Sequence, residues 1–199
     1  MNIGFIGAGN VAVSLGSLLH NAGHTIKYAT RTPNEGQVSI LKAISFAEVV
    51  FFTIPYTAMK EVLVTYKKAL KDKIVIDVTN PINITDWSPL HLGEDSGGEQ
   101  TSRMLPESKV AKAFNTVFAD VMDAGKQQFS ENKLTVFIAS DDGTAADLVK
   151  RLSEDAGFNG LVVGGIETSR YLEALAHLNI AIALNGGGTD AGFAYFQRK

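Results

Sequence analysis

Met1–Ala12 reads MNIGFIGAGNVA, and this stretch decides the fold. Ile3, Phe5 and Ile6 make a short apolar run, the run breaks at Gly7-Ala8-Gly9, and a helical pattern begins at once. A strand, a glycine turn and a helix in this order form the G-x-G-x-x-G/A dinucleotide fingerprint, with Ala12 in the third small position. Gly7 allows the tight turn, Gly9 lets the backbone approach a pyrophosphate, and Ala12 keeps the helix near the strand. The helix start at Asn10 and Val11 offers N–H groups and a positive dipole end to the phosphates. Glycines also close ordinary turns; the strand before them and the helix after them are what favour a nucleotide here.

The residues that follow bear on which dinucleotide. Val11, Leu15, Leu18, Leu19 and Ala22 share one helical face, and Gly23 is a natural C-terminal stop. A second strand is expected from about His24 to Ala29, ending in Thr30-Arg31-Thr32. An NAD site usually carries Asp or Glu at the end of that strand, bonded to the ribose hydroxyls. No acidic residue occurs before Glu35. Thr30 and Arg31 stand there instead, a hydroxyl and a guanidinium that suit a 2′-phosphate. The pattern points to NADP(H); the alternative for Arg31 is a solvated turn residue.

Composition sets the outer limits. The chain has 199 residues, 45% hydrophobic and 20% charged, ordinary values for a globular protein with a sizeable core. A net charge of −3 argues against nucleic acid as a partner. The chain contains no cysteine, which excludes disulfides, thiol nucleophiles and iron–sulfur ligation. No apolar run approaches the roughly 18 residues of a membrane span, and Met1 leads straight into the first strand without a basic leader. The expectation is a cytoplasmic protein with no membrane partner.

Further apolar runs recur at Glu48–Ile54, Lys73–Val78, Lys109–Phe114, Leu134–Ala139 and Leu161–Val163, as buried parallel strands do. Segments of helical length lie between them at about Thr57–Leu70, Gly143–Ala156 and Thr168–Leu184. The alternation predicts an α/β fold: a Rossmann-type, doubly wound, mostly parallel sheet with a short C-terminal helical extension. One domain is expected over 1–199, with a nucleotide-binding core to about 140 and C-terminal elements from about 141 contributing to an acceptor site. Ile82–Gly98 is the least regular stretch, either a lid or substrate loop or a plain surface loop. Gly186-Gly187-Gly188 reads as a flexible turn into a last strand, Phe193–Phe196. The Thr168–Leu184 helix is apolar nearly all round, so it is either deeply buried or shared with a second subunit in a homodimer.

Several pieces in order resemble the NADP oxidoreductases dependent on the deazaflavin coenzyme F-420, together with the similar reductase domains of six-transmembrane ferric reductases. They are Gly7-Ala8-Gly9-Asn10-Val11-Ala12, Thr30-Arg31-Thr32-Pro33, Thr53-Ile54-Pro55-Tyr56 and Asp77-Val78-Thr79-Asn80-Pro81. Val110-Ala111-Lys112-Ala113-Phe114-Asn115-Thr116 and Arg170-Tyr171-Leu172-Glu173 complete the set. The resemblance implies NADP along the strand ends, with Gly7, Gly9, Asn10 and Val11 at the pyrophosphate and Thr30 and Arg31 at the 2′-phosphate. It places Ile54, Pro55, Thr79, Asn80, Asn115, Thr116 and the segment to Ala119 beside the ribose and nicotinamide. From the residues alone, Asn115 can bind a carboxamide through its donor and acceptor together, or bond its own turn. The ferric reductases' transmembrane haem domain has no counterpart in these 199 residues, so metal reduction of their kind is not expected.

Hydride transfer between a nicotinamide and a flavin-like ring asks little of protein acids and bases, because the cofactors carry the reaction. No catalytic residue and no metal ligand set are assigned. His24 belongs to a strand start, His177 is expected to be satisfied by Glu173 one turn away, and His91 is the one exposed titratable histidine in the irregular loop. The expected activity is an NADP(H) reductase whose small-molecule acceptor is a deazaflavin (F-420), a flavin or a similar compound. The alternative is a non-catalytic NADP(H)-binding redox sensor. Reduction of an imine or carbonyl would need a proton donor, and none stands out.

Overall fold

The computed structural model describes residues 1–198. β1 (Asn2–Ile6) leads into α1 (Asn10–Asn21), followed by β2 (Thr25–Thr30), β3 (Gln37–Ser39), α2 (Ile40–Phe46) and β4 (Val49–Phe52). Next come α3 (Tyr56–Leu70), β5 (Ile74–Asp77), α4 (Gly97–Met104) and β6 (Lys109–Lys112). A two-stranded ribbon, β7 (Gln128–Phe129) and β8 (Asn132–Lys133), precedes β9 (Thr135–Ser140), α5 (Gly143–Asp155), β10 (Asn159–Gly164) and α6 (Ser169–Ile182). The main sheet has eight strands in the order β10-β9-β6-β5-β4-β1-β2-β3. Its central pairs are parallel, and only the β6–β9 pair is antiparallel.

The sheet is covered on both faces, and strand periodicity sorts the side chains. On β4, Val49 and Phe51 join a core with Ile3, Phe5, Leu15 and Phe158. Val50 and Phe52 point the other way, into a core with Ile6, Ile40, Ile44 and Leu63. Strands apolar on both faces are what a parallel sheet buried between helices requires. β1 sits between β2 and β4, so the connections leave it toward opposite sides. The crevice outside the carboxyl ends of β1 and β4 is therefore the switch point at which open α/β sheets bind ligands.

Three expectations need correction. The irregular stretch is shorter than Ile82–Gly98, because α4 begins at Gly97. Its start was hidden because Gly97 and Gly98 are poor helix formers; the cap is Ser96, whose Oγ accepts from the Glu99 N–H at 3.2 Å. Phe193–Phe196 is no strand. β10 occupies one edge of β9 and β6 pairs only with its far end, at Ala139 and Ser140. The tail meets the near end alone, where the Thr135 N–H donates to the Phe193 carbonyl at 2.8 Å. Third, α6 is not buried all round. Leu172, Ala176 and Ile180 face inward, while Tyr171, Leu178 and Ile182 are exposed.

Candidate functional site

Gly7 and Gly9 do different jobs. Gly7 has φ +121°, and a Cβ there would stand 2.6 Å from the Thr53 carbonyl oxygen, so β1 can only leave the sheet beside β4 through a glycine. Gly9 has an ordinary φ of −81°. A Cβ on it would meet nothing within 4 Å, so the space in front of α1 is open. α1 has no side-chain cap and no acidic residue in its first turn, whereas α5 is capped by Asp142, which accepts from the Ala145 N–H at 2.8 Å. Orphan N–H groups facing open space at a helix N-terminus form a site for an anion. Ala12, fully buried, holds α1 against the sheet.

A cavity lies on each side of this turn. One, of about 370 Å³, is bordered by Gly7, Thr30, Arg31, Ile54, Pro55 and Ile84. The Arg31 side chain is 73% exposed and only 3.8 Å from a Glu61 carboxylate oxygen, so no strong bond ties it down. The Thr30 hydroxyl donates to Gln37 Oε1 at 3.0 Å, which orients it at the end of β2. The second cavity, of about 290 Å³, is bordered by Asn10, Val11, Asn80, Asn115, Thr116 and Ala119, with Phe114, Trp87 and Ile180 supplying apolar surface. Gly9 borders a shallower depression that shares Asn10 and Ala119 with this cavity. The fold therefore brings twelve of the thirteen sequence-derived residues to one edge of the sheet. Thr79 borders neither cavity; it is buried behind the wall.

The inner wall depends on a strained turn. Phe114 is buried at φ +62°, a conformation that a bulky side chain adopts only under constraint. It turns the chain just after β6 and delivers Asn115 and Thr116 to the cavity. Asn80 Nδ2 donates to the Asn115 carbonyl at 2.7 Å, and Asn115 Nδ2 donates to Asn80 Oδ1 at 3.0 Å and to the Leu172 carbonyl at 3.1 Å. Asn115 Oδ1 is buried without a partner. A buried acceptor left unmade costs about 1–3 kcal/mol, and Asn115 carries one while its residue borders the cavity.

Behind this wall lies a feature that residue-by-residue reading missed. The Lys112 ammonium is fully buried, 3.3 Å from Asp77 Oδ1 and 2.9 Å from Glu173 Oε1, and donates to the Thr79 carbonyl at 2.6 Å. Glu173 also accepts from the Gly97 and Gly98 N–H groups, each at 3.1 Å, and Asp77 accepts from the Thr101 hydroxyl at 2.9 Å. Burial pulls the Lys112 pKa down, but the two carboxylates outweigh it and hold the pKa above that of an ordinary lysine. This network corrects the expectation for His177. Glu173 is committed to Lys112 and α4, and His177 Nε2 is buried with no partner. Burial accordingly lowers the His177 pKa. A second tie, Arg170 to Glu99 through bonds of 2.8 and 2.7 Å, fastens α6 to α4. The available signal was a charge inside an apolar run: Asp77 and Lys112 interrupt buried strands, and Glu173 an apolar helix face.

Among the described residues, no group of three or more His, Asp and Glu could hold a metal ion, and no helix is long and apolar enough to cross a membrane. Residues 2–81 match the family model described as NADP oxidoreductase coenzyme F420-dependent. The F420-dependent NADP reductase of Methanothermobacter marburgensis is 30% identical over 158 residues, covering 76% of this chain and 69% of that protein. Metalloreductase STEAP3 of Rattus norvegicus is 28% identical over 182 residues, covering 87% of this chain; the match spans only 36% of the metalloreductase. Among solved structures, one from Arthrobacter sp. FB24 superposes with a TM-score of 0.88 at 24% identity, covering 99% of this chain and 100% of that one. A pyrroline carboxylate reductase of Plasmodium falciparum with NADP bound has a TM-score of 0.59 at 14% identity, covering 96% of this chain and 70% of that one.

Proposed function

The chain belongs to the coenzyme F420-dependent NADP oxidoreductase family, and on that premise we propose that it transfers a hydride between NADP(H) and a deazaflavin, flavin or similar small acceptor. The observation that carries the proposal is the bare N-terminus of α1 between two cavities, with open space in front of Gly9. The residues present fit the dinucleotide: an uncapped helix end suits a pyrophosphate, and a cavity bordered by the amide side chains Asn80 and Asn115 suits a carboxamide. NADPH supplies a hydride when bound.

The chain's own part is to bind, orient and exclude water. Gly9, Asn10 and Val11 would hold the pyrophosphate, while Thr30 and Arg31 would take the 2′-phosphate beside Gly7, Ile54 and Pro55. Asn80, Asn115, Thr116 and Ala119 would set the nicotinamide face, and Thr79 acts from behind by its carbonyl bond to Lys112. Among the described residues bordering the second cavity, Asp120 is the one ionisable side chain. Positioning is therefore the main contribution to rate.

The test pairs binding with turnover. Purified protein should reduce a flavin or deazaflavin with NADPH, read as loss of dihydronicotinamide absorbance. Arg31→Ala should weaken NADPH about ten- to hundredfold, the value of a charge-assisted contact of about 1.5–3 kcal/mol, and leave NADH within about twofold. Equal losses for both nucleotides would remove Arg31 as the discriminator. Tight NADPH binding with background turnover across the acceptors would replace the reductase by the sensor.

A further inference from the structure

The loop after β5 touches both cavities: Ile84 borders the one beside Arg31, and Trp87 borders the one beside Asn115. It is a tied loop. The Asn83 N–H donates to the Ser88 carbonyl, the Trp87 N–H to the Asn83 carbonyl and the Leu90 N–H to the Pro81 carbonyl, each at 2.8 Å. Asp86 accepts from the Ser88 N–H at 3.0 Å and from its hydroxyl at 2.7 Å. At the tip, Trp87 has φ +62° and its residue is 51% exposed. A left-handed backbone is unfavourable for a bulky residue, and so is a half-exposed indole. The bonds just described hold both in place at the cavity rim.

The cavity's charge narrows what could meet that indole. No Lys, Arg or His is among the described residues that border it, and its single carboxylate, Asp120, accepts from the Thr189 hydroxyl. Away from the α1 N-terminus at Asn10 and Val11, an anionic group placed inside would find no cation and one like charge. The polar groups on offer are amides and hydroxyls, and the rest is apolar, including Phe114, Ile180 and Trp87. Such a lining fits an uncharged conjugated ring with hydrogen-bonding edges, and flat rings stack on an indole face.

We propose that Trp87 is the outer wall of the acceptor subsite, stacking on a neutral, flat, tricyclic ring of the flavin kind, whose anionic substituents lie outside the cavity. This rests on the reductase reading above. It adds a specificity-determining residue on the irregular loop: the nicotinamide sits against Asn115 and the acceptor between it and Trp87.

The chain has one tryptophan, so its fluorescence reports this position directly. The wild-type protein is first saturated with NADP+, followed by calorimetry, and then titrated with riboflavin and, separately, FMN while tryptophan emission is read. Saturable quenching by both is expected, since the phosphate of FMN would lie outside. In steady-state assays with NADPH, Trp87→Ala should raise KM for riboflavin about three- to tenfold, the worth of one aromatic contact, with KM for NADPH within about twofold. Trp87→Phe should restore most of the loss. NADP+ binding and flavin reduction without quenching, or with an unchanged riboflavin KM in Trp87→Ala, would overturn the stacking role and leave the reductase reading standing. Quenching complete with NADP+ alone would assign Trp87 to the nicotinamide and also overturn it. Failure to bind NADP+ would overturn both.

Discussion

Replacing Lys112 by Met isolates what the buried charge network contributes. The substitution keeps an unbranched chain in a fully buried position and removes only the ammonium. Asp77 and Glu173 then share a site without the cation that stands 3.3 and 2.9 Å from them. Breaking a buried ion pair by deleting one partner costs about 3–5 kcal/mol. The neutral donors that remain, the Thr101 hydroxyl and the Thr79 N–H on Asp77 and the Gly97 and Gly98 N–H groups on Glu173, favour the lower part of that range. For a chain of this length each kcal/mol moves Tm by about 2–4 °C, so a fall of about 6–20 °C is expected. Urea unfolding at neutral pH should show a lower midpoint with an unchanged m-value. Adding Glu173→Gln should recover part of the loss, because one of the two stranded charges disappears; the double-mutant cycle measures the coupling. The Lys112 pKa is raised, so its stabilisation is complete below the ordinary lysine value of 10.5 and fades only as pH climbs through the higher folded value. The wild-type contribution of Lys112 should therefore not vary between pH 6 and 9. A Tm change under about 2 °C, or no recovery in the double variant, would refute the argument that this network holds α6 and α4 to the sheet.

The two fingerprint glycines should separate cleanly. Gly7→Ala forces a side chain into a positive-φ position against the Thr53 carbonyl and should cost about 1–3 kcal/mol in a melting experiment. Gly9→Ala should leave Tm within about 2 °C yet weaken NADP(H) at least about tenfold by calorimetry, because only a ligand occupies the space its methyl would enter; unaltered affinity would show that the pyrophosphate lies elsewhere. Acid stability should have two limbs. Burial lowers the His177 pKa, so the unfolded chain takes up that proton first and stability starts to fall as pH drops below 6.5, an effect that His177→Leu removes from a pH series of melts. The Arg170 hydrogen bond lowers the Glu99 pKa, so its contribution is present above 4.5 and is lost as pH falls through the folded value; in Glu99→Gln that lower limb should flatten.

How far the chain could be read by eye follows from where each specification lies. The proposed phosphate end is legible because it needs backbone N–H groups and absent side chains, and both are encoded within Gly7–Ala12. The strands were legible because runs such as Val49–Phe52 are apolar on both faces. α2 and β3 escaped notice because seven and three residues are too few to show a period. α4 escaped because its glycines mask it, although Ser96 and Glu99 form the Ser-x-x-Glu capping pattern.

The inner wall is a different kind of object. Asn115 reaches the Leu172 carbonyl, 57 residues away, and Glu173 reaches Gly97 across 76, so no local spacing announces either contact. Yet part of it could have been reasoned out. Asp77 ends the run Ile74-Val75-Ile76, and Lys112 ends Val110-Ala111 after Lys109. A charge at the last position of a strand buried on both faces is tolerated only with an opposite charge beside it. In neighbouring parallel strands of equal length such positions fall side by side, and Asp77 is indeed the register partner of Lys112. The same lysine also meets a second buried carboxylate, Glu173, on a helix otherwise read as apolar, and that contact ties α6 to the sheet edge. The piece of chain that covers the cavity beside Asn115 is thus held by a charge, while the amides on the wall it completes are uncharged.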